Sequence, residues 1–112
     1  MWGDGTAIRN FTYVDDMVKA IYRLTQSNLE GAVNLGGDEY VTVAELAQTI
    51  IAISGKDVGI EYVEGPVGVQ ARNFSKARSR ALNWKAQTSL REGITETYHW
   101  IAEQVEAAQA AK

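Results

Sequence analysis

Two arginines are the residues best suited to hold an anion. Arg9 opens the stretch RNFTYVDD, and Arg72 is the next-to-last residue of the glycine- and proline-bearing stretch EGPVGVQARN. A guanidinium offers a rigid fork of donors that matches phosphate oxygens. Around Arg72 the loop's free backbone N–H groups add to that capacity. The plain alternative for Arg9 is a surface position on an edge strand, and for Lys76, Arg78 and Arg80 a solvated helix face. Asp15 and Asp16 are neighbours before an apolar helical pattern. That position suits a helix N-cap, with the acids offsetting the helix dipole. Adjacent helical side chains diverge, so the pair is poorly placed for metal or acid–base work. His99, between Tyr98 and Trp100, has no evident partner, and no catalytic role is assigned to it.

Composition removes other chemistries. The 112 residues carry no Cys and one His, which excludes a disulfide framework, a thiolate metal site and a multi-histidine metal site. Net charge is −3 and the sequence pI about 5.1, unlike the basic excess of a nucleic-acid binder. No apolar run reaches the ~18 residues of a membrane span, and no signal peptide opens the chain. The expectation is a cytoplasmic protein that binds neither nucleic acid nor membrane. No GxGxxG follows a strand, and there is no P-loop and no GxSxG. None of the five tyrosines has Lys or Arg four residues on.

These residues need elements to hold them. WGDG reads as a turn and IRNFTYV as a strand. Met17, Ala20, Ile21 and Leu24 then share a helical face. AVNLGG reads as a short strand. Thr42 and Glu45 form a capping box ahead of Val43, Leu46, Ala47, Ile50 and Ile51, which recur at helical spacing, and Gly55 ends that helix. VGIEYV reads as a further strand, and a short helix is expected from about Ser75 to Leu82. Ser89 and Glu92 form a second capping box before a helix with Leu90, Ile94, Tyr98, Ile101 and Val105 on one stripe. Interleaved helices and strands give an α/β class, α+β-like, with about four helices and about three short strands in one domain, 1–112.

In order and spacing, WGDG, RNFTYVDD, VNLGGDEYVTVAELAQ, EGPVGVQARN, LNW and GITETYHWI resemble the C-terminal, substrate-binding part of extended short-chain dehydrogenase/reductases. Those are the NAD-dependent epimerases and dehydratases of nucleotide sugars, and the resemblance is nearest to the GDP-mannose 3,5-epimerase subfamily. It implies that Arg9 and Arg72 contact the diphosphate of a nucleotide sugar from two sides. With less weight it implies nucleotide contacts from Trp2, Gly3, Asp4, Gly5 and Asn73. Gln70 stands where the family carries an arginine, and Ala71 where it carries a glycine. The family's Rossmann half, with its NAD loop and Ser/Tyr/Lys catalytic set, has no counterpart here, as if translation began inside a longer gene. The chain is therefore expected to bind no cofactor, to hold no metal and to have no catalytic residue of its own.

Three functions follow: a nucleotide-sugar-binding module, one half of a split enzyme completed by a separate Rossmann-type chain, or a non-enzymatic oligomeric remnant, such as a mobile gene-cassette protein. Val33 and Leu35 on an open-edged strand, and Trp100 facing away from the Leu90 stripe, lead to an expected homodimer.

Overall fold

The computed structural model describes residues 1–111. Both capping boxes form and set where the long helices start. At the head of α2 (Val43–Ser54), Thr42 Oγ1 accepts the Glu45 N–H at 3.1 Å and Glu45 Oε2 accepts the Thr42 N–H at 2.7 Å. Gly55 closes the helix in the left-handed region, at φ 63°. At the head of α3 (Leu90–Ala110), Ser89 and Glu92 repeat the exchange, at 3.3 and 2.9 Å. The apolar stripes read from the sequence bring α2 against α3. Trp100, off that stripe, is 62% exposed.

The helix after RNFTYVDD, α1 (Val14–Thr25), corrects an expectation. Its N-cap is Tyr13, with no side-chain cap, and both aspartates lie inside the first turn. Asp16 is almost fully buried and accepts the backbone N–H groups of Gln87 and Thr88. Its partners are thus the loop that leads into α3, not its own helix end. Buried Ala20 shares α1 with Asp16, and the helix rests on the 3₁₀ turn Ser79–Leu82. Arg23 fastens the far end by donating to the carbonyls of Leu82 and Asn83. The helix expected from about Ser75 is reduced to that four-residue 3₁₀ turn.

The sheet has two short antiparallel strands, β1 (Ile8–Asn10) and β2 (Tyr40–Thr42), with Arg9 opposite Val41. On its other edge β1 meets the 70–72 segment through a parallel bridge, Ile8 to Ala71, with Ile8 N–H on Gln70 O at 2.8 Å. IRNFTYV is therefore a strand only in its first residues, because the chain turns at Phe11 to enter α1. VGIEYV contributes a single bridge, Val63 to Trp2, and 32–37 is irregular and pairs with no strand among the described residues. Arg78 instead holds that segment by donating to Glu30 and Ala32 carbonyls. Val33 and Leu35 are half-buried, so the open apolar surface lies elsewhere.

That open surface is large. The chain exposes 8197 Å², whereas a folded monomer of its 12.3 kDa mass exposes roughly 6,100 Å². Its radius of gyration is 17.1 Å, against about 13 Å for a compact domain of this length. Among the described apolar residues only Ala7, Ala20 and Leu82 are buried. Layers that normally close over a core are thin here, and α1 shows it most. While Asp16 and Ala20 face inward, Val14, Val18, Ile21 and Tyr22 stay open to solvent.

Candidate functional site

The bridge between Ile8 and Ala71 brings the two predicted anion-binding residues into register. Arg9 and Arg72 each stand one step beyond it, on adjoining segments. Arg9 Nη1 donates to Ile8 O at 2.7 Å. The N–H and C=O of one strand residue point to the same edge, and Ile8 N–H points to Gln70. The Arg9 guanidinium therefore lies at the seam with the Arg72 segment. The side chains nevertheless line different hollows. Arg9 faces one of about 240 Å³ with Trp2, Asp4, Gly5 and Val67, and Arg72 one of about 440 Å³ with Asn34, Asn73 and Phe74.

The Trp2–Gly5 turn forms the outer wall of the Arg9 hollow. Gly3 and Gly5 both have left-handed φ, 71° and 74°, and neither has room for a side chain. A Cβ on Gly3 would fall 2.0 Å from the Val67 side chain, and one on Gly5 2.6 Å from Met1. Asp4 Oδ1 accepts the Thr6 N–H at 3.0 Å and the Thr6 hydroxyl at 2.8 Å. The bond from the Thr6 backbone, then that from its hydroxyl, holds the Asp4 carboxyl below its ordinary pKa. Asp4 is thus a fixed negative charge that shapes the turn and would repel a phosphate placed on it.

Gln70 carries the chain of bonds onward. Its Nε2 donates to Thr6 Oγ1 at 2.8 Å, so the Asp4 turn is tied through Thr6 to the segment bearing Arg72. Asn73 accepts the Tyr40 hydroxyl at 3.2 Å, which links the Arg72 loop to β2. Thr6, Tyr40 and Phe74 were not among the predicted site residues. For Thr6 the Asp-x-Thr spacing of an Asx turn was the available signal; Tyr40 and Phe74 meet the loop only through the fold.

Acidic side chains stand in the first turn of each of the three α-helices. A pyrophosphate needs free N–H groups and positive potential at a helix N-terminus. Glu45 closes the start of α2, Glu92 and Glu39 that of α3, and Asp15 and Asp16 occupy the first turn of α1. At α2 and α3 a carboxylate thus accepts the leading N–H groups, while at α1 Asp16 turns to the Gln87–Thr88 loop instead. Among the described residues no three or more His, Cys, Asp or Glu side chains group to hold a metal ion, and no helix is long and apolar enough to cross a membrane.

The family model of NAD dependent epimerases and dehydratases matches residues 1–36. GDP-mannose 3,5-epimerase of Arabidopsis thaliana is 39% identical over 111 residues, 98% of this chain and 29% of that protein. The chain matches a partial domain of the extended short-chain dehydrogenase/reductase epimerases. Solved structures of this family superpose closely on it. An epimerase from Methanothermobacter thermautotrophicus gives a TM-score of 0.88 at 26% identity, covering 98% of this chain and 34% of that one. UDP-glucose 4-epimerase of Thermotoga maritima, solved with UDP-glucose, gives 0.86 at 26% identity over 94% of this chain and 35% of that one. The chain thus spans about a third of the length of these epimerases.

Proposed function

We propose that this chain holds a nucleoside-diphosphate sugar. In this reading Arg9 and Arg72 take the diphosphate, and the Trp2–Gly5 turn and Asn73 lie beside the nucleoside. The observation that carries it is the Ile8–Ala71 bridge, which sets the two arginines side by side at a seam where the Arg9 guanidinium already turns. The match to nucleotide-sugar epimerases supports the ligand class, and UDP-glucose in one of the superposed structures is an instance of it. Each hollow alone is small for so long a ligand, so the diphosphate would have to span both. The chain's place is the cytoplasm, it binds no NAD, and it performs no epimerisation, dehydration or oxidation alone, because hydride chemistry belongs to a cofactor whose glycine-rich fingerprint this sequence does not carry.

Titration calorimetry with GDP- and UDP-sugars tests this. Saturable binding is expected, weakened about ten- to a hundredfold by Arg9→Ala or Arg72→Ala, the loss of one charge-assisted contact. No heat with either nucleotide sugar, or equal affinity in both variants, would overturn the site. Saturable micromolar NAD binding would overturn the statement on the cofactor.

A further inference from the structure

We infer that the hollow between α1 and the 83–87 loop is a second binding site, one that takes a planar aromatic anion. It measures about 500 Å³, more than either arginine hollow, and shares no lining residue with them. Lys19 and Tyr22 line it from α1, Trp84 and Lys85 from the loop, and buried Asp16 lies at its base. The two walls are fastened to each other. Asp16 accepts the Gln87 and Thr88 N–H groups near one end, and Arg23 donates to the Leu82 and Asn83 carbonyls near the other. Asn83 turns the chain in the left-handed region, at φ 48°, immediately before Trp84. The hollow is thus formed before a ligand arrives, and filling it costs little further ordering.

Three observations set the chemistry of the ligand. The first is the pair of rings. Tyr22 and Trp84 line one hollow without stacking on each other; the aromatic pairs among the described residues are Tyr40 with Phe74 and Tyr98 with His99. Space bounded by two separate rings suits a third, planar one. The second is charge. Lys19 and Lys85 are exposed, and neither is in an ion pair, since among the described residues the one ion pair joins Lys76 to Asp38. Two ammonium groups beside an aromatic surface suit an anion, held by charge-assisted hydrogen bonds. The third is the state of the acid. Asp16 is the only carboxylate on the hollow, and its charge is already met by the Gln87 and Thr88 N–H groups, so the lysines keep their capacity for a ligand.

Nitrogen-15 NMR on the full chain, with 2-naphthoate as the probe, tests the site, because the indole N–H signals of the three tryptophans report separately. Saturable shifts are expected at Trp84 and in the backbone of Lys19 and Lys85. Trp100, 62% exposed on α3, should not move. Acetate carries the anion without the rings, and 2-naphthalenemethanol the rings without the anion. Each should bind at least about tenfold more weakly than 2-naphthoate. The double variant Lys19→Gln, Lys85→Gln should weaken 2-naphthoate about three- to tenfold. Trp84→Leu should weaken it similarly, read at the two lysines; should that variant fail to fold, the exposed lysines carry the test. No saturable shift at Trp84, equal movement of Trp84 and Trp100, equal affinity for the neutral ring compound, or unaltered affinity in the lysine variant would overturn the assignment. None of these readouts depends on Arg9, Arg72 or nucleotide-sugar binding.

Discussion

Asp16 Oδ2 accepts the backbone N–H of Thr88 at 2.8 Å, across 72 residues of sequence, and that of Gln87 at 3.0 Å. One buried carboxylate thus fixes the first turn of α1 to the loop that launches α3. Asp16→Ala would leave two N–H groups facing an apolar methyl. A loss of about 1.5–3 kcal/mol is expected, the worth of a hydrogen bond to a charged group. The midpoint of urea unfolding measures it. Asp15→Ala, at an exposed position one residue earlier, should stay within ~0.5 kcal/mol of wild type.

The same carboxylate gives the chain an acid-sensitive joint. Burial pushes the Asp16 carboxyl up, but the bonds from Thr88 and Gln87, aided by the Lys19 charge, outweigh it and leave the pKa below the ordinary 3.8. A depressed native pKa means stability that is present above the unfolded value and lost as pH falls through the native one. Unfolding free energy should therefore fall with pH below about 3.8, and Asp16→Asn should flatten that limb. An identical acid limb in the variant would show that other carboxylates dominate it.

What was legible in the sequence was what is local. The capping boxes Thr42–Glu45 and Ser89–Glu92 have both partners within one turn, so spacing alone finds them. Asp16 could not be read this way, because its partners are more than seventy residues ahead and only the tertiary fold brings them near. Strands failed for a related reason. AVNLGG and VGIEYV have strand composition, but a strand needs a neighbour, and among the described residues neither gains more than one bridge. Arg9 and Arg72 were legible as candidate anion groups, but their adjacency depends on the Ile8–Ala71 bridge. Gln70 was legible only as a departure from the family, and its bond to Thr6 is a product of the folded turn.

The two boxes can be weighed separately. Thr42→Ala and Ser89→Ala should each cost about 0.5–2 kcal/mol, as other capping substitutions do. Thr42 should matter more to the sheet, since it is also the last residue of β2 and pairs with Ile8 of β1. Hydrogen exchange would reveal this: Thr42→Ala should speed exchange in both α2 and β1, and Ser89→Ala only at the start of α3. Equal protection of β1 in the two variants would contradict that coupling.

Gln70→Arg tests the charge of the proposed diphosphate site. The substitution removes the 2.8 Å bond to Thr6, at a cost of about 0.5–1.5 kcal/mol in stability. It places a third guanidinium on the segment that carries Arg72. Nucleotide-sugar affinity should rise about tenfold or more, the worth of one charge-assisted contact. Unchanged affinity in a variant whose binding still depends on Arg72 would put the diphosphate away from position 70.

Gly36 is where packing and the candidate site meet. It is buried, and a Cβ there would lie 2.5 Å from the Phe74 ring and 2.9 Å from Asn10 Oδ1. Asn10 is not free to withdraw, so the ring must give way. Asn10 Nδ2 is held by the carbonyls of Gly37, at 3.1 Å, and Glu39, at 2.7 Å. Phe74 is a rigid ring against Tyr40, 6.4 Å between centroids. Gly36→Ala must therefore push Phe74, which stands two residues after Arg72. An overpacked site of this kind costs about 1–3 kcal/mol. The displaced loop should also lower nucleotide-sugar affinity more than a substitution of equal stability cost elsewhere. Gly59→Ala serves as the comparison, since nothing lies within 4 Å of the added methyl. It should leave both quantities near wild type, whereas Gly36→Ala should lower both. A Gly36→Ala protein as stable as wild type would mean that Phe74 has room to move, and with it that the Arg72 loop is not held by this contact.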